Sequence, residues 1–153
     1  MGTVLCIIPT SGGSKGLSRK NVLELGGRPL VGYPIAAARA SGVYDVLLVS
    51  TDDGEITKVA RAQGAHIPFL RPSAFAQALT ITKATLQQAL RAFEKHVGNT
   101  FDTCLFLTPT DIFSSASWVT RAVTVLKKNH ELESAFSCSS THKNYWQPGE
   151  SRQ

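Results

Sequence analysis

The chain alternates short apolar runs with helical patterns. Val4-Leu5-Cys6-Ile7-Ile8 is continuously apolar, as expected of a strand covered on both faces. Val46-Leu47-Leu48-Val49, Cys104-Leu105-Phe106-Leu107 and Ala135-Phe136-Ser137-Cys138 have the same character, and residues 66–70 form a further short candidate strand. Between them, Ile56, Val59, Ala60 and Gln63 recur at helical spacing behind Asp52, with Glu55 three residues on, which predicts a helix opened by a capping box. Leu86, Ala89, Leu90, Phe93 and Val97 mark a second amphipathic helix. Val119, Ala122, Val123 and Leu126 mark a third, capped by Ser114 or Ser115. A less regular helix is expected over residues 30–40, where Pro34 fits only in a first turn.

Strand, helix, strand, helix is the order of a mainly parallel sheet with right-handed crossovers. The fold expected is therefore an α/β, Rossmann-like three-layer sandwich. It spans residues 1–140 and is incomplete at its carboxyl end. Residues 141–153 are polar and aperiodic, with Tyr145, Trp146 and Pro148, and suggest a loop leading to an absent segment.

Composition narrows the function. The 153 residues, 42% hydrophobic and 18% charged, suit one soluble domain with a real core. No apolar run has the length of a membrane span, and the start lacks the basic region of a signal peptide, so a cytoplasmic location is expected. The net charge of +5 is compatible with nucleic acid, an anionic membrane or a small phosphorylated ligand. Lys and Arg are scattered and not interleaved with aromatics, which favours the small anion over a polynucleotide. Cys6, Cys104 and Cys138 fall in apolar runs without metal or disulfide spacing, so buried, inert thiols are expected.

Ligands of open α/β sheets bind beyond the carboxyl ends of the strands. The first such end leads into Thr10-Ser11-Gly12-Gly13-Ser14-Lys15-Gly16-Leu17-Ser18-Arg19-Lys20-Asn21. Glycines let the backbone turn its N–H groups onto a ligand, Ser14 adds a hydroxyl, and Lys15 and Lys20 add charge. The loop suits a polyphosphate, although it is neither a Walker A loop nor GxGxxG, and a solvated Gly/Ser turn is the plain alternative.

Ile8-Pro9, Gly12-Gly13-Ser14-Lys15-Gly16 and Lys20-Asn21 together resemble the signature of the acylneuraminate (CMP-sialic acid) cytidylyltransferase family. Gly27-Arg28-Pro29-Leu30, Val49-Ser50-Thr51-Asp52-Asp53, Leu70-Arg71-Pro72, Pro109-Thr110 and His142-Lys143-Asn144-Tyr145-Trp146 resemble further family segments in the same order. The resemblance implies that CTP and a sialic-acid-like (nonulosonic) 2-keto sugar acid give the CMP-sugar and pyrophosphate with Mg²⁺. Gly12, Gly13, Ser14 and Lys15 would cradle the phosphates, with Ser11 at the loop's start, and Lys20 would add charge near the leaving group, Lys15 and Lys20 being the catalytic cations. Asn21 would meet the cytosine edge, and Arg71 matches the family's nucleotide-contacting arginine.

The chain departs from that pattern. Ser11 replaces a forked cation, which is not a conservative exchange. Ala78 stands for an aspartate, Thr108 for a glutamine, and Asp111-Ile112-Phe113-Ser114 for Ser-Pro-Leu-Arg. The family's metal-binding aspartates and dimerisation segment lie beyond residue 153, so a homodimer depends on a part these residues do not contain. A silent CTP-binding or subunit-interaction module is thus an alternative to the enzyme. Asp111, at a strand end, is a candidate metal ligand; a turn or helix-capping aspartate is the simpler account of it. Asp52 as a helix cap likewise explains the Asp52-Asp53 pair more simply than a metal does. His66, His96 and His130 are expected on the surface or in loops, with His142 alone near a sugar. Trp118 is expected to be partly core, and Trp146 could line a sugar pocket or a dimer contact. Ser11 and Ser14 have no GxSxG context for hydrolase chemistry.

Overall fold

The computed structural model describes residues 2–13, 17–72 and 82–138. Three strands form the main sheet: β1 (Val4–Pro9), β4 (Val46–Ser50) and β5 (Thr103–Phe106). A small hairpin pairs β2 (Glu24–Leu25) with β3 (Arg28–Pro29). The helices are α1 (Gly32–Ser41), α2 (Gly54–Ala62), α3 (Thr82–Val97) and α4 (Ala116–Lys128).

Both β4 and β5 pair with β1 in parallel, in the order β4-β1-β5. Alternation along β1 divides the core between two faces. Cys6 and Ile8 face Ile35 and Ala38 of α1, Ile56 and Ala60 of α2, and Val119 of α4. Leu5 and Ile7 face Ala89 and Phe93 of α3. Helices thus cover both faces, and the continuous apolar runs of β1 and β4 are those of strands buried on both sides. The Rossmann-like, three-layer α/β fold is as expected. Pro34 is the third residue of α1, where its missing N–H costs no helical bond.

The second face explains where the sequence misled. Register places Cys104 opposite Leu5 and Phe106 opposite Ile7, on the side of α3. That helix packs over β1 and leaves the flank of β5 open, so Cys104 is exposed and Phe106 is 38% exposed. Residues 135–138 join no strand among the described residues, and Phe136 and Cys138 are exposed. The expected fourth strand and two of the three buried thiols are therefore corrected. Cys6 alone is buried, and burial, with Cys104 second, pushes its thiol up to about 12. Residues 66–70 contribute a single parallel bridge, Leu48 to His66. Trp118, expected to be partly core, is 54% exposed on the first turn of α4. The tail 141–153, with its His142, Tyr145 and Trp146, lies outside the described residues, as does Ala78.

The amino end of β1 is tied down through Asp102, just before β5. Its Oδ2 accepts the Thr3 N–H at 2.6 Å and the Thr3 hydroxyl at 3.1 Å. Those bonds hold the Asp102 carboxyl below its ordinary 3.8. A depressed carboxylate contributes stability that is complete above the ordinary value and is lost as pH falls through the lowered one. Asp102→Asn is expected to lower the thermal midpoint at pH 7, with the gap from wild type closing at pH values below the lowered pKa. Thermal melts across pH check this.

Candidate functional site

Because β4 and β5 flank β1, strand order reverses at β1, and the carboxyl end of β1 is where open α/β sheets place their ligands. The loop that starts at Thr10 leaves from that point, and three segments meet there. Thr10 N–H donates to Ser50 O at 2.9 Å, and Arg71 N–H donates to Thr51 O at 2.7 Å. The Arg71 guanidinium then closes the junction. Nη2 donates to Thr10 O at 2.8 Å, Nη1 donates to Ser50 O at 3.1 Å, and Asp52 Oδ1 stands 3.5 Å from Nη2. The side chain is only 4% exposed. Burial lowers the Arg71 pKa, and the Asp52 charge opposes that shift. The rigid fork sets its two Nη groups on carbonyls of two strand ends, a geometry that the single nitrogen of lysine does not reproduce.

Asn21, in the short 3-10 helix over Lys20–Val22, is buried and fixes the other end of the loop. Its Nδ2 donates to Ser11 O at 2.9 Å, while its carbonyl accepts from Val31 N–H at 2.9 Å. Lys20 is half-buried in the same turn.

Under the loop lies the start of α2. The cap is Asp53 and not Asp52: Asp53 Oδ1 accepts the N–H groups of Glu55 at 2.8 Å and Ile56 at 2.9 Å. The run Asp52-Asp53-Gly54-Glu55 offers two registers, and the helix takes the one that frees Asp52 for Arg71. The same carboxylate packs against Gly12, where a Cβ would collide with Oδ2 and stand 3.0 Å from Cγ. Among the described residues, no atom lies within 4 Å of a Cβ position on Gly13, which leaves that side of the loop open to a ligand as far as those residues go.

The structure thus brings Ser11, Gly12, Gly13, Lys20, Asn21 and Arg71 to one end of β1. Ser14 and Lys15 lie outside the described residues. Asp111 sits in an exposed turn beyond β5, where its Oδ2 accepts the Ser114 hydroxyl at 2.6 Å. No group of three or more His, Cys, Asp or Glu side chains suited to a metal occurs among the described residues. Mg²⁺ that arrives with a triphosphate needs only one or two carboxylates from the protein. The Ser115 hydroxyl, not that of Ser114, caps α4. His66, His96 and His130 are exposed, as expected.

Sequence reasoning missed Asp53, whose signal was the second capping register, and Arg19, which ion-pairs with Glu55 and lies 4.0 Å from Asp53 Oδ1. Arg71→Met is expected to cost about 1–3 kcal/mol in urea unfolding, because it strands the buried carbonyl of Thr10 and leaves Ser50 O with the Thr10 N–H alone.

Comparison with known proteins agrees with this geometry. Residues 5–147 match the family model described as cytidylyltransferase. The chain is 40% identical over 90 residues to pseudaminic acid cytidylyltransferase of Campylobacter jejuni, covering 59% of this chain and 39% of that protein. It is 35% identical over 124 residues to CMP-N,N'-diacetyllegionaminic acid synthase of Legionella pneumophila, covering 81% of this chain and 53% of that protein. The solved structure of CMP:2-keto-3-deoxy-manno-octonic acid synthetase complexed with CTP shares the fold. Its TM-score is 0.69 at 16% identity, over 85% of this chain and 49% of that one. The chain therefore spans between about two fifths and about half of the length of these relatives. It belongs to the cytidylyltransferase family, to the acylneuraminate cytidylyltransferases that its motifs resemble.

Proposed function

We propose that this chain binds CTP at the carboxyl end of β1 and directs its α-phosphorus to a sialic-acid-like 2-keto sugar acid. The observation that carries the reading is the Ser11-Gly12-Gly13 loop, open at Gly13 and held by Arg71 and Asn21 at the point where strand order reverses. The names of the relatives, pseudaminic and legionaminic acid enzymes, support the class of acceptor. In the reaction, the anomeric hydroxyl of the sugar acid forms the new bond to the α-phosphorus and loses its proton. The bond to the bridging oxygen breaks, and pyrophosphate leaves.

The work assigned to this chain is positioning and charge stabilisation. Backbone N–H groups at Gly12 and Gly13, with Ser14, meet phosphate oxygens, while Lys15 and Lys20 offset charge that builds on the pyrophosphate. Ser11 provides a hydroxyl where the family pattern has arginine. Asn21 anchors the loop through its amide and, beside that, offers the group expected to meet cytosine. Arg71 acts by fixing the loop's origin. Mg²⁺ would supply further neutralisation of the triphosphate, with Asp111 the carboxylate available for it on this end of the sheet. The reaction belongs in the cytoplasm, where CTP is made; no described helix is long and apolar enough to cross a membrane. A homodimer is the assembly proposed where the family's dimerisation segment is present.

A second reading is favoured by Ser11, which takes a forked cation out of the loop: CTP binds, but no turnover follows. Calorimetric titration with CTP, ATP and GTP, with and without Mg²⁺, tests the binding. Saturable binding selective for CTP is expected, and pyrophosphate release with a nonulosonic acid separates the two readings. A folded chain that binds no nucleotide would overturn both.

A further inference from the structure

The cation missing at Ser11 has a replacement within reach. Arg19 stands at the start of the turn over Lys20–Val22, with φ at 57°, the one non-glycine positive φ among the described residues. That left-handed backbone, unfavourable for a residue with a Cβ, turns the side chain toward α2. There the guanidinium ion-pairs with Glu55 and lies 4.0 Å from Asp53 Oδ1. The Asp53 carboxylate is the group that packs against Gly12. One carboxylate therefore separates the Arg19 fork from the backbone of the proposed phosphate loop.

This arrangement is charged in a way that matters to a polyanion. Asp53 is partly compensated by the two helix N–H groups it caps. Glu55 is half exposed and has Arg19 as its cation. Ion pairs at such exposure are worth ~0–1 kcal/mol. Forked, charge-assisted bonds from arginine to phosphate are about twice as strong as neutral ones. The Glu55 pair belongs to the same charge-assisted class, so what favours the exchange is the greater charge of a triphosphate, and it leaves the half-exposed Glu55 in water rather than buried.

Resting on the CTP reading above, we infer that Arg19 is a phosphate-binding residue, held on Glu55 and Asp53 when the loop is empty and passed to the β- and γ-phosphates when CTP binds. Glu55 is then a competitor for the cation, not a support for the site. A purely structural ion pair makes the opposite prediction for Glu55, and this separates the two accounts.

The test is calorimetric titration of the 153-residue chain with CTP and with CMP, both with Mg²⁺, for wild type, Arg19→Gln, Arg19→Gly and Glu55→Gln. Arg19→Gly suits the left-handed backbone, so a loss seen in both Arg19 variants is not a folding effect. Both are expected to weaken CTP by about tenfold or more, the worth of a hydrogen bond to a charged group, while CMP, which lacks the outer phosphates, changes less than about twofold. Glu55→Gln should bind CTP as tightly as wild type or more tightly. Unchanged CTP affinity in the Arg19 variants overturns the inference. So does equal loss for CMP and CTP, or a Glu55→Gln loss matching that of Arg19. A wild-type chain that does not bind CTP refutes the proposed function itself, and the role of Arg19 falls with it.

Discussion

The Arg71 guanidinium is the interaction on which the site depends. It bonds the backbone at the ends of β1 and β4, and its own N–H joins Arg71 to Thr51 O. Without it the buried carbonyl of Thr10 would lose its partner, a cost of about 1–3 kcal/mol, while Ser50 O would keep only the Thr10 N–H. The fork removes that cost and sets the direction in which the chain leaves β1. Asp52 keeps the buried cation paired, which in turn places Asp53 at the cap of α2 and its carboxylate against Gly12. Loop, helix and strand ends are thereby one connected unit.

Such a unit suits chemistry in which the protein does little covalent work. Transfer of a nucleotidyl group needs the triphosphate held in one pose and the leaving charge offset. A loop hung between Arg71 and Asn21 meets the first need before ligand arrives. For the second, with Arg71 committed to backbone carbonyls, the described cations beside the loop are Lys20, in the 3-10 turn, and Arg19, held on acidic side chains. Preorganisation of backbone with cations held in reserve is a consistent physical picture.

The strongly patterned parts of the fold were legible in the sequence. β1, β4 and helices α2, α3 and α4 follow from apolar runs and 3.6-residue spacing, since each has a neighbour that buries the patterned face, whereas α1 carries a less regular pattern. Residues 135–138 carry an equally apolar pattern, yet nothing described pairs with them, because pairing is a property of two segments and the pattern reports only one. Cys104 failed for a related reason: a strand at the sheet's edge is only as buried as its neighbours make it. At the site, the glycine loop and Arg71 could be found from resemblance, but not the bonding that makes Arg71 a clasp between strand ends. The Asp53 cap was hidden by a one-residue choice of register, and Arg19 by having no partner near in sequence.

Open apolar ground along β5 gives a sharp contrast to the loop. A cavity of about 330 Å³ lies there, between β5, α4 and residues 135–137, with Phe106, Trp118 and Phe136 on its walls. It holds Asp111 but none of the clasped residues. The most direct measurement is therefore amide chemical-shift mapping of the ¹⁵N-labelled chain during a titration with CTP and Mg²⁺. The account predicts saturating shifts at Gly12, Gly13 and Asn21, with Cys104 and Phe106 little changed. Shifts confined to the β5 flank, or none at the glycines, would contradict it.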